Sequence, residues 1–261
     1  MSSAIDRMRI ERDQLIAERN AFDEFAKHVA DLDPEKHTTR TEYGVRPPAS
    51  GTGTTVNLVG HTIMPAQNAE QVPVSVIRDI YRETVMAVPH YKKEYGESIN
   101  ENLAAELGSG VAQTLTEADV LAPQIQAAVL NQAQQASKQR SHLLSHVKTE
   151  YEALIEARCQ LRDLHKTVTA IEDNLYPRPV RELVQSWNRL ETVADSCKTL
   201  LRERQTHLQT EHETRTMSTW SFQEYLFQPF RGRHPVLNDG LETLTRIRRA
   251  KRETVKAIYD W

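Results

Sequence analysis

The 52 residues from Pro123 to Asn174 contain no glycine, and no proline after the first. As one α-helix this stretch is about 78 Å long, at 1.5 Å per residue. Alternating steps of three and four residues through positions 143, 147, 150, 154, 157, 161, 164, 168, 171 and 175 meet Leu, Val, Glu, Leu, Ala, Leu, Leu, Val, Ile and Leu. Only Glu150 is not apolar, which is the pattern of a coiled-coil seam. After the turn Tyr176-Pro177-Arg178-Pro179, positions 183, 187, 190, 194, 197, 201, 204 and 208 read Leu, Trp, Leu, Ala, Cys, Leu, Arg and Leu, with Arg204 the exception. Neither helix can bury its stripe alone, and a short proline turn makes the two neighbours. The expected fold is therefore all-α, an elongated helical bundle built on a long antiparallel coiled-coil hairpin. Nine glycines and 6% aromatic residues are too few for the many tight turns of sandwiches and barrels.

The rest of the chain divides around that hairpin. Residues 1–33 predict a heptad helix, since Met8, Leu15, Phe22 and Val29 recur every seven residues, with Ile5, Phe25 and Leu32 widening the stripe. Residues 34–72 read as a linker around RPPASGTGTT, with VNLVGHTIM (Val56 to Met64) its one strand-like piece. Residues 73–122 predict a helix–corner–helix segment: a helix from Pro73 that stops at Pro89, then a short helix capped by Ser98 and Glu101 and stopped by Gly108. Residues 123–215 hold the hairpin, whose first section, QAAVLNQAQQASKQRS, carries only a weak stripe and is expected to be exposed. Residues 216–261 hold an aromatic segment, TWSFQEYLFQPF, and a basic helix from Pro235.

A net charge of −3 gives no global attraction to nucleic acid or membrane. No apolar run approaches 18 residues, and the N-terminal segment has no apolar signal region, so a cytoplasmic protein is expected. Two cysteines, Cys159 and Cys197, are too few for a disulfide framework and are read as buried thiols. GTGTT at Gly51 has neither the lysine nor the following helix of a phosphate loop. No serine or cysteine sits in a nucleophile signature.

Three constellations remain. His142, His146 and Glu150 share a helical face, but the residue after the first histidine is Leu143, not the glutamate of a zincin. They are read as a polar stripe, with no metal and no cofactor expected. Arg246, Arg248, Arg249, Lys251 and Arg252 form a basic patch able to meet phosphates, diluted by Asp239, Glu242 and Glu253. Around Pro89, Tyr81, Glu83, His90, Tyr91 and Tyr95 form a corner. It is either an elbow packed inward or a surface that docks a partner.

The blocks RDIYRETVMAVPHYKKEYGESINENLAAELG and EYLFQPFRGRHPVLNDGLETLTRIRRAKR resemble an uncharacterised haloarchaeal family of helical proteins. The resemblance spans most of the chain. It implies a domain of unknown function in a salt-rich cytoplasm and brings no catalytic residues. The expected function is non-enzymatic: a coiled-coil interaction or scaffolding protein whose partner is itself or another helical protein. The alternatives are a DNA-associated regulator using the basic helix and a metal-dependent helical-bundle enzyme.

Overall fold

A computed structural model describes residues 1–34, 72–94, 96–213, 226–227 and 234–260. The linker reading, the strand-like VNLVGHTIM, Tyr95 and most of the aromatic segment lie outside the described residues. The fold is all-α: α1 (Ser2–Ala30), α2 (Ser75–Thr84, continued by a 3-10 turn Val85–Ala87), α3 (Tyr91–Glu94), α4 (Ile99–Leu107), α5 (Ser109–Glu117), α6 (Pro123–Glu172), α7 (Val180–Glu213) and α8 (Pro235–Tyr259). Among the described residues the only β-type pairing is an isolated antiparallel bridge between Pro73 and Val120. That bridge explains why α2 begins at Ser75 and not at Pro73: Val74 donates to the Asp119 carbonyl at 3.1 Å, and Leu121 to that of Val72 at 2.9 Å. No described helix is long and apolar enough to cross a membrane.

The residues group into two compact units, Met1–Leu15 with His142–Trp261, and Ile16–Ser141. The division cuts α1 and α6 at points where the sequence offers no break.

In the first unit, Ala4, Ile5, Met8 and Leu15 of α1 share a core with the seam residues of α6 and α7 and with Val236, Leu244 and Ile247 of α8. The charged exceptions are buried as well: Glu150 is 1% exposed and Arg204 6%. Leu226 and Phe227 of the aromatic segment are fully buried in the same core. Cys197 is buried, and its thiol donates to the Gly240 carbonyl oxygen at 3.4 Å. Cys159, expected inside, is only half-buried on the flank of α6.

In the second unit, Phe22, Phe25 and Val29 of α1 pack with Ile77 and Tyr81 of α2, Leu103 and Leu107 of α4, Leu115 of α5, and Val129, Ala133 and Ala136 of α6. The last three correct the expectation of an exposed section, since each is 2% exposed or less. Their side chains are small, so the stripe is weak in hydrophobicity but permits close approach of a neighbouring helix. Gln126 adds a cap: its Nε2 donates to the carbonyls of Val29 at 2.8 Å and Leu32 at 2.7 Å, beside the C-terminus of α1. Ser98 and Glu101 form the expected reciprocal capping box of α4. Gly108, at φ +86°, ends it in a backbone region L-residues avoid.

Candidate functional site

The corner residues sit in the second unit. Tyr81 is fully buried, with its ring edge-on to Phe25 at 5.2 Å and Phe22 at 6.5 Å. Its hydroxyl donates to Asn102 Oδ1 at 2.6 Å, and Asn102 Nδ2 donates to Glu97 Oε2 at 3.2 Å. Burial pushes the Tyr81 phenol far above its ordinary value, with Glu106 and Tyr91 adding and Arg140 opposing, so it stays a protonated donor. Tyr91 is 5% exposed, and burial followed by Glu97 raises its phenol too. His90 Nε2 lies 2.8 Å from Glu18 Oε1. Glu18 also accepts from Arg140 Nε at 3.1 Å, and the same guanidinium donates to Glu106 Oε1 at 2.6 Å while covering the Phe22 ring at 4.9 Å. Glu83 is exposed and apart from this network. The corner thus places Tyr81, His90 and Tyr91 inward.

On α6, the rings of His142 and His146 meet edge-on at 4.6 Å. Glu150, one turn further, accepts from both Arg204 nitrogens at 2.9 and 2.5 Å, with His207 Nε2 3.6 Å away. Burial pushes the Glu150 carboxyl up, but the nearby His207 ring, the hydrogen bonds from Arg204 and the charges of both outweigh it and hold it below the ordinary carboxylate range. Among the described residues no group of three or more His, Cys, Asp and Glu is arranged to hold a metal ion.

The basic patch is split by its surroundings. Arg246 donates to Glu172 Oε2 at 2.6 Å and Thr169 Oγ1 at 2.8 Å. Lys251 pairs with Glu191 of α7, and its ammonium lies 4.5 Å from the centre of the Trp187 ring. Arg248, Arg249 and Arg252 are exposed and have no carboxylate partner among the described residues. Three contacts show that α7 and α8 run antiparallel: Lys251 with Glu191, Cys197 with Gly240, and Leu201 against Gly240. Between them opens a groove of about 590 Å³ lined by Trp187, Arg248, Lys251, Arg252, Val255 and Lys256. Val184 (45% exposed) lies one turn before Trp187, and Tyr259 (83% exposed) one turn beyond Val255. The antiparallel pairing brings both to the same end of the groove.

Residues 1–251 match the family model of a domain of unknown function, DUF7260. This chain belongs to the DUF7260 family. No curated protein and no solved structure matches it. Within the DUF7260 chain, Trp187, Arg248 and Lys251 of the groove lie inside the matched residues, and Arg252, Val255 and Lys256 lie just past them.

Sequence reasoning found Arg248, Lys251 and Arg252 of this DUF7260 groove but not Trp187, Val255 or Lys256. Trp187 stands on the α7 seam pattern, where an aromatic is read as core. Its flank position follows only once Lys251 and Glu191 are seen to pair. Glu18 and Arg140 were likewise missed, although Glu18 continues the step pattern 4, 8, 11, 15, 18, 22, 25, 29 along the buried face of α1.

Proposed function

We propose that this DUF7260 chain is a non-enzymatic cytoplasmic interaction protein, a helical scaffold that receives a helical partner in the α7–α8 groove. The observation that carries the reading is the groove itself. Elsewhere the apolar faces of α1, α6 and α7 are buried, and the charges set into them, Glu18, Glu150 and Arg204, are paired. Here a groove floored by Trp187 and Val255 stays open beside Arg248 and Arg252, which have no carboxylate partner among the described residues. Exposed apolar surface rimmed by charge is the usual character of a binding site. Free thiols, one of them buried, are in keeping with a reducing compartment. The DNA reading is less favoured, because Arg246 and Lys251 are engaged with Glu172 and Glu191. The metal-enzyme reading is less favoured because Arg204 holds Glu150, the carboxylate on the same face of α6 as the two histidines.

The test places a photo-crosslinking residue at Val184, beside the groove, or at Glu203, an exposed α7 position away from it, in the native host. The expected result is one protein captured from position 184 and not from 203, with capture lost in Arg252→Glu. Equal capture from both positions, or none from either, would overturn the reading.

A further inference from the structure

We infer that the occupant of the groove is an amphipathic helix carrying acidic residues every fourth position along one edge of its apolar face; this rests on the groove being the binding site. Arg248, Arg252 and Lys256 follow one another at four-residue intervals on α8, so their attachment points rise about 6 Å per step. A second helix laid along α8 has the same rise, so Asp or Glu at i and i+4 meets Arg248 and Arg252, which have no carboxylate partner among the described residues. One at i+8 meets Lys256, which pairs with Glu253 at 3.1 Å on the exposed surface of its own helix. Between that row and α7, Trp187 and Val255 form an apolar floor, extended by Val184 and Tyr259. Two antiparallel helices with an apolar crease and a one-sided charged rim match the helix-in-groove mode of recognition.

Charge separates this occupant from the others. A second copy docking through a two-fold axis sets the same patch against itself, so the Arg248–Arg252–Lys256 row would face its own like charges. Single-stranded nucleic acid needs an open aromatic face to stack on, and the Lys251 ammonium lies over the Trp187 ring. An acidic helix needs only the apolar crease and the exposed row.

The probe is a labelled 21-residue helical peptide with leucines at i, i+3, i+4 and i+7 and glutamates flanking them at every fourth position, read by fluorescence anisotropy against the full chain. Its sibling carries lysine for every glutamate; a single-stranded oligonucleotide and anionic vesicles complete the set. The glutamate peptide is expected to bind about tenfold or more tighter than its sibling at low salt, given the modest worth of each exposed pair. The double variant Arg248→Glu with Arg252→Glu, both exposed positions that leave the core untouched, is expected to reverse the preference. Equal binding of the two peptides, or a preference that the double variant does not move, overturns the inference, as does binding of the oligonucleotide or the vesicles alone. A single protein captured from position 184 together with failure of the glutamate peptide would show the groove right and its occupant wrong. Loss of both would remove the binding reading itself.

Discussion

Glu150 and Arg204 are the one charged position in each of two otherwise apolar seams, and they meet each other. Removing one partner leaves the other charge inside, at a cost of about 3–5 kcal/mol, whereas replacing both with apolar residues of similar volume is often neutral. We therefore expect Glu150→Leu to destabilise the chain by about 3 kcal/mol, and Glu150→Leu with Arg204→Met to restore most of it, in urea unfolding at neutral pH. The same carboxyl gives a pH dependence of known sign. Its folded value lies below the unfolded one, about 4.3 for glutamate. The stabilisation is thus present above that value and is lost as pH falls through the folded value. Acid titration of the unfolding midpoint should show a component that Glu150→Gln lacks; an unchanged titration in that variant would contradict the pairing. Tyr81→Phe tests the second unit. It strands Asn102 Oδ1 in a site 3% exposed, for a loss of about 1–3 kcal/mol measured by the same unfolding.

Between elements, α8 approaches α7 closely at Gly240. A Cβ there would lie 2.5 Å from Leu201 Cδ2 and 3.1 Å from its Cγ. Alanine asks only a turn of the half-buried Leu201, while a branched side chain cannot be accommodated that way. Gly240→Val is expected to lower stability by ~2 kcal/mol and, because Trp187 and Lys251 depend on the same helix pair, to weaken the groove's grip on the glutamate peptide. A variant with wild-type thermal unfolding would show that α7 and α8 are less tightly apposed. This scale also shows what the residues alone disclose. The capping box at Ser98, the stop at Gly108 and the seam of α6 were legible because each is a local pattern with one physical reading. The burial of Val129, Ala133 and Ala136 was not, because alanine contributes little to a hydrophobic stripe and its value lies in the neighbour it admits. The groove was half-legible: its cations form a run, but its floor is assembled from Trp187 and Val255, on two helices and 68 positions apart in sequence.

At the level of the whole molecule, the apolar steps of α1, α6 and α7 are occupied within a single chain, with Met8 and Leu15 in one core and Phe22 and Phe25 in the other. The chain is therefore expected to run as a monomer by light scattering at both low and multimolar salt, and a defined oligomer under either condition would show a seam shared between copies. The meeting of Glu150 with Arg204 has a further consequence, for how this molecule can change in length. Residue 150 lies 27 positions before Pro177 and residue 204 lies 27 after it. Seven residues added between Glu150 and the turn would keep every apolar step of α6 in phase, yet would carry the carboxylate one heptad past its arginine. Only an equal insertion on the other arm keeps the two together. Descent with changes of length in this part of the chain is thus confined to paired events, like a zip that can be extended only by adding matching teeth to both tapes.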